Sequence, residues 1–474
     1  MALGVLAAVA LSCGAASATA ALPPIKHVFI IVLENESKST TFGPSSPAPY
    51  LAKTLTAQGA FVPNYYGIGH ESNDNYIAMI SGQAPNADNQ ADCQFFTDLQ
   101  PGTLVTDGQA VGEGCVYPSD VPTIASQLQG AGLTWRDYDQ SMGADPTREP
   151  AVCAHPALNS QDNTQSATAS DQYATRHNPF VYFHGIIDDA ASCNTHVVNL
   201  NLLPGDLTRP ADTPNYVFIT PDLCGDGHDA TCADPSRPGG FAGIDQFLQS
   251  WVPRITSSPA YQRDGLLLIV FDEASTSDTS SCCGEMPGPG SPMPGVTGSG
   301  GGDVGAVLLS PFIAPGTVSQ APYNHYSMLR SVEDIFGLGH IGDAQLPGET
   351  SFGSDVFTRP DGPPPTGTTD DPPPPGVACV ARVLPASARG RLAANTLMQS
   401  VRLVRGRRSA ISLRAVHSAK LRIVATPVRG RPRTVASEQL QPCHRYTIGL
   451  PSGRGRVTIS AAVGRGVQLT ARHY

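Results

Sequence analysis

Acidic residues recur in this chain at the points where apolar runs end. Residues 28–33 are followed by Glu34-Asn35, residues 216–219 by Thr220-Pro221-Asp222 and then Gly225-Asp226-Gly227-His228-Asp229, and residues 266–271 by Asp272-Glu273. Carboxylates brought together repel one another unless a cation holds them. A further segment supplies a hydroxyl: His70-Glu71-Ser72-Asn73-Asp74-Asn75-Tyr76 runs into the apolar Ile77-Ala78-Met79-Ile80-Ser81-Gly82. This pattern predicts a turn opening into a short helix, with Gly82 as its C-cap. Ser72 would then lie among unpaired backbone N–H groups, where an anion is favoured. The same serine also reads as an ordinary N-cap in a surface loop. A serine hydroxyl becomes a useful nucleophile once a metal or base helps remove its proton. Histidines titrate near neutral pH and can move that proton.

Such groups need a rigid edge to hold them. The runs 28–33, 216–219, 266–271 and 304–309 are continuous and apolar, as strands buried on both faces of a sheet are. Helix-like stretches at 123–129, 243–251 and 327–336 alternate with them. The expectation is an α/β fold with a mostly parallel sheet flanked by helices. Ligands of open α/β sheets bind outside the carboxyl ends of the strands, where the acids fall. Segments 86–120 and 140–171 are polar and look like excursions over the sheet. The Gly/Pro/Ser-rich segment 277–302 joins two core strands, and a loop of that length is more often functional than idle, as a lid or rim.

Composition divides the chain. Charged residues make up 15% of it and the net charge is −10, yet from Cys379 to Tyr474 there are 18 Lys+Arg and one acid, Glu438. This asymmetry suggests two modules with different partners. The expected plan is a signal peptide over 1–20, a main domain over 25–358, a Pro-rich linker over 359–376 and a basic all-β module over 377–474. Residues 18–20, Ala-Thr-Ala, form the cleavage-site pattern, so export is expected. Beyond residue 20 there are ten cysteines, an even number that suits an oxidising compartment. Cys93–Cys115, Cys153–Cys193 and Cys379–Cys443 are the expected pairs, with Cys224, Cys232, Cys282 and Cys283 forming two more bridges or, as a rival idea, a zinc site.

The segments from Ile25 to Asn35, His70 to Gly82, Phe218 to Asp229, Phe271-Asp272-Glu273 and Tyr323-Asn324-His325-Tyr326-Ser327 running into Glu333-Asp334 resemble, in that order, one known family. It is the secreted bacterial phosphoesterase family of acid phosphatases and phospholipases C, within the alkaline phosphatase-like superfamily. The resemblance implies that Ser72 is the nucleophile, forming a phosphoserine by in-line attack. It implies a divalent metal held by Glu34, Asn35, Ser72, Asp272 and Glu273, with His70, His228 and His325 facing the phosphoryl group, Asp222 and Asp226 near them, and Asn75 bonding a phosphate oxygen. One metal ion is expected; Asp222, Asp226, His228 and His325 are the alternative set for a second. Zn, Mn, Fe, Ca and Mg all suit such donors. The sequence departs from the family's His-Pro-Ser-x-Pro-Asn-Tyr form by carrying Glu71 and Asp74 in place of both prolines, and Glu36-Ser37-Lys38 stands where His-Ser-Phe is frequent.

The leading function is therefore a secreted, metal-dependent phosphomonoesterase acting on a phosphate-ester substrate. The alternatives are a phospholipase C cleaving lipid head groups and an inactive, phosphoesterase-like cell-surface binding protein. The basic module suits an anionic cell-envelope polymer or a membrane surface. Specific nucleic-acid recognition is not expected, because aromatics are nearly absent there. His155 and His177 read as exposed loop histidines. Nothing in the sequence sets the oligomeric state.

Overall fold

The computed structural model describes residues 22–105, 108–284 and 299–362 in full, and beyond them the backbone of strands between 396 and 473. The chain forms two compact units, 1–367 and 368–474. In the first, eight strands make one sheet: β1 (His27–Leu33), β2 (Ala60–Val62), β3 (Trp135–Asp139), β4 (Val197–Asn199), β5 (Tyr216–Thr220), β6 (Gly265–Phe271), β7 (Ala306–Leu309) and β8 (Thr317–Val318). Their order across the sheet is β8-β2-β7-β6-β1-β5-β3-β4. β1 lies at the centre, parallel to β5 and to β6, and β7 alone runs against the others. Every residue of β1 and of β6 is buried, as expected of strands covered on both faces.

The helices lie where the apolar patterns place them. These are α1 (Ser72–Ser81), α2 (Ile124–Gly130), α3 (Gly240–Thr256) and α4 (His325–Phe336). Gly82 closes α1 in the left-handed conformation at φ 66°, which a residue without Cβ adopts freely. Gly67 lets the chain ahead of α1 approach the end of β6, since a Cβ there would lie 2.7 Å from the Asp272 carbonyl oxygen.

Four disulfides form among the described residues: Cys93–Cys115 and Cys153–Cys193 staple long connections, Cys224–Cys232 closes a short loop, and Cys282–Cys283 joins two adjacent residues. The last two pairings remove the zinc alternative, because all four sulfurs are in bridges. Cys379, Cys443 and most of the linker lie outside the described residues, as does the expected signal segment. In the second unit the described strands form two antiparallel sheets, one of four strands and one of three.

One feature of β3 runs against the usual chemistry of a core. Asp137 and Asp139 point to the same face and are both buried, and three of their four carboxyl oxygens have no partner outside the pair. Two adjacent carboxyls without a cation persist by sharing a proton. Burial pushes the Asp137 carboxyl up to about 8, and burial with its neighbour raises Asp139. A carboxyl raised on folding is harmless below its unfolded pKa of about 4, and stability falls as pH climbs from there towards 8. Asp137→Asn, which keeps a donor for Asp139 and has no proton to lose, is expected to stabilise the fold at pH 8 by on the order of a few kcal/mol. Near pH 4 its effect should be small. Thermal unfolding at the two pH values checks this, and equal shifts at both would rule out the shared proton.

Candidate active site

Ser72 owes its position to a tightly bonded turn. The Asn75 side chain accepts from the backbone N–H groups of Ile68 and Gly69, at 2.8 and 3.1 Å, and donates to the carbonyls of Gly69 and Glu71 and to Asp74. Asn75 is fully engaged inside the turn and holds it closed ahead of Ser72. Ser72 is the first residue of α1 and is 3% exposed, and the N-cap position belongs to Glu71. The surface-cap reading therefore fails. The Ser72 hydroxyl donates to Glu34 Oε2 at 2.8 Å.

Glu34 begins the loop after β1, and its other oxygen, Oε1, accepts from Tyr76 at 2.7 Å. Around it the strand ends are sewn together. The Glu34 N–H donates to the Asp226 carbonyl, the Asp272 N–H to the Leu33 carbonyl, and the Asn35 N–H to Asp272 Oδ1 at 2.9 Å. Asn35 thus contributes its backbone, at φ 63°, to holding Asp272. Glu34, Asp226 and Asp272 are each 0% exposed. Burial, then mutual repulsion, raises the Glu34 carboxyl well above the usual range; burial also raises Asp226 and Asp272. Oδ2 of Asp226 and Oδ2 of Asp272 have no hydrogen-bond partner.

The histidine facing these acids is His177. It is 1% exposed and stacks on Tyr76, with ring centroids 5.2 Å apart and planes 4° from parallel. Its Nε2 lies 3.5 Å from Glu34 Oε1 and its Nδ1 3.3 Å from Asp226 Oδ2. Burial, with Arg176 and His228 nearby, holds it well below the usual histidine range, so it is neutral. Glu34, His177 and Asp226 each offer one atom within 4.8 Å of the others, a mixed oxygen–nitrogen donor set suited to a divalent ion. The exposed-loop reading of His177 is therefore corrected. His155 is half-buried, stacked on Phe96.

The histidines singled out from the sequence have other partners. His325 donates from Nε2 to the Asp272 carbonyl at 2.6 Å and accepts at Nδ1 from Tyr65, and burial lowers it to about 4. His228 accepts at Nε2 from Arg176 at 3.0 Å and donates from Nδ1 to Asp229. His70 is paired with Glu273 through Nδ1 and donates from Nε2 to the Asp278 carbonyl. Both ring nitrogens of all three are engaged by protein, so they brace the site's loops. Glu273 is correspondingly taken up by His70 and by the Glu71 N–H. Asp222 is bound by both guanidinium N–H groups of Arg237 at 2.7 Å, which leaves Asp226 as the acid of that loop facing Glu34.

His177 and Arg176 were hard to find because no strand leads into them; they sit on a single turn of 3-10 helix, Thr175–His177. The signal lay in the next few residues of the chain. Pro179-Phe180-Val181-Tyr182-Phe183 is an apolar run, wholly buried, so the chain had to return to the core at His177.

Among curated relatives, a probable acid phosphatase of Kluyveromyces lactis is 24% identical over 323 residues, 67% of this chain and 59% of that protein. A phosphate-repressible acid phosphatase of Penicillium chrysogenum is 26% identical over 307 residues, 64% of this chain and 58% of that one. A phosphatidylinositol-3-phosphatase of Mycobacterium tuberculosis is 24% identical over 327 residues, 69% of this chain and 82% of that protein. The chain thus spans a little over half the length of the two fungal relatives. The sequence profile of the Phosphoesterase family matches residues 45–339, more than half of the chain, and the chain belongs to that family.

Proposed function

We propose that this chain hydrolyses phosphate monoesters through a phosphoserine formed at Ser72. The observation that carries the reading is the Ser72 hydroxyl bonded to Glu34, beside buried acids whose free oxygens and the His177 Nε2 lack partners. Relatives named acid phosphatase and phosphatidylinositol-3-phosphatase favour a monoester over the phospholipase C alternative.

Orphaned, buried oxygens on Asp226 and Asp272 fit a site for a cation, and Glu34, Asp226 and His177 would hold it with Asp272 beside them. A divalent ion there would neutralise charge on a bound phosphate and favour the ionised serine. The two Glu34 oxygens divide the work, since Oε1 faces His177 and Oε2 receives the Ser72 proton. The Ser72 Oγ–P bond forms as the ester O–P bond breaks, and the departing alcohol takes up the proton that serine gave. Water then attacks the phosphoserine, releasing phosphate and restoring the hydroxyl. His325 and His228, each in one fixed tautomer, keep Asp272 and the Asp226 loop in register.

Placement in an oxidising compartment is part of the proposal, supported by the four disulfides. No helix among the described residues is long and apolar enough to cross a membrane. The basic second unit, with its 18 Lys+Arg, suits an anionic polymer or membrane surface.

Ser72→Ala should lower kcat on p-nitrophenyl phosphate by about 10³-fold or more. Retention of most of the activity would exclude the phosphoserine. EDTA should abolish turnover, and one of the divalent ions should restore it. His177→Ala should weaken divalent-metal binding by at least about 10-fold, whereas His228→Ala should leave the bound metal largely intact. Metal analysis after dialysis reads this without reference to activity, and the opposite order would move the metal away from His177.

A further inference from the structure

Strand register decides where the charge of the second unit lies. Its four-stranded sheet is built from β9 (Thr396–Leu403), β10 (Ala419–Pro427), β11 (Arg433–Leu440) and β12 (Gly455–Ala462), in the order β9-β12-β10-β11. Residues alternate between the two faces of a strand, so paired register positions share a face. Arg402 is opposite Arg456, Ser400 is opposite Thr458, and Thr458 is opposite Thr426. Lys420 and Arg422 precede Thr426 on β10 by even steps and belong to the same face. The other face takes Val401, Val457, Ile459, Ile423 and Leu421, an apolar set. Glu438, the one acid between Cys379 and Tyr474, is opposite Leu421 and so belongs to the apolar face. Arg402, Arg456, Arg422 and Lys420 therefore share a face that holds no carboxylate.

We infer that this polar face binds a linear, phosphate-bearing polymer. The inference rests on the reading of the second unit as a binder of anions, and not on hydrolysis at Ser72. Like charges directly opposite each other weaken a sheet, and no acid of this face offsets Arg402 and Arg456. A polyanion laid on the face does. Guanidinium groups meet phosphate oxygens through two parallel hydrogen bonds, a fit that an ammonium lacks. Ile423 is opposite Ala461, which sets Arg422 level with Ala462, six residues along β12 from Arg456. Six residues of strand cover about 20 Å, a span that an extended polymer bridges and a single phosphate does not. Ser400, Thr458 and Thr426 fill the rows between, and hydroxyl residues donate to the same kind of oxygen. A membrane surface fits less well, because there is no Phe or Trp between Cys379 and Tyr474 to anchor the module in lipid.

The test measures binding of the full-length protein to long-chain inorganic polyphosphate, to polyglutamate of matched length and to vesicles with a third of anionic lipid. Polyphosphate should bind most tightly, and its affinity should fall with salt with a log–log slope of about −3, as four phosphate contacts imply. Arg402→Ser with Arg456→Thr should weaken binding by about tenfold and halve that slope. Without polymer the same variant should unfold at no lower temperature than the wild type, since a repulsion has been removed. Arg402→Lys with Arg456→Lys keeps the charge and should keep the slope while losing a few-fold in affinity. Unchanged polyphosphate binding in the Ser/Thr variant would move the polymer off this face and overturn the inference. Equal affinity for polyglutamate, or binding to vesicles alone, would overturn the phosphate polymer as the partner. Should the Ser/Thr variant not fold, the wild-type slope and the polyglutamate comparison still decide. Binding is read without turnover, so a failure of hydrolysis at Ser72 would leave the inference standing.

Discussion

Repulsion among Glu34, Asp226 and Asp272 is the constraint around which the first unit is organised. Each arises just beyond a central strand, each is fully buried, and no lysine or arginine among the described residues pairs with any of them. Two like charges a few ångströms apart in a low-dielectric interior oppose folding strongly. The structure answers with backbone hydrogen bonds between the strand ends, with Tyr76 and Ser72 donating to Glu34, and with raised carboxyl pKa values. What is left, two orphaned carboxylate oxygens and one imidazole nitrogen, is a donor set suited to a divalent cation. The fold tolerates this arrangement because the strands beneath it are apolar on both faces.

The histidines show how much of a site consists of bracing. His325 holds the Asp272 carbonyl, His70 holds Glu273 and Asp278, and His228 joins Arg176 to Asp229. Each bridges two segments distant in sequence. A neutral imidazole offers one donor and one acceptor on opposite sides of a rigid ring, which suits it to spanning two loops.

The sheet, the helices and the strand-end acids were legible in the sequence because each rests on a local pattern. Continuous apolar runs predict buried strands, and Gly82 predicts the end of α1. The direction of β7 was not legible, since an apolar run carries no sign of which way it lies beside its neighbour. The protein partners of Asn75, Asp222 and the three bracing histidines were not legible for a related reason. A motif fixes where a side chain begins, whereas its partner is decided by residues such as Arg237, Tyr65 and Arg176, which come from unrelated stretches. His177 was missed because its loop resembles the exposed ones around it, and only the buried run after it marks the difference.

The reversed direction of β7 has a consequence for how this architecture can diversify. A parallel neighbour of β6 would require a crossover running the length of the sheet. Because β7 is antiparallel, the chain leaves β6 and returns to β7 at the same edge, the one that carries Asp272 and Glu273. A connection of that kind can be lengthened, shortened or exchanged without shifting the register of any strand. The connection between β6 and β7 can thereby change in length while Asp272 and Glu273 keep their place at the end of β6.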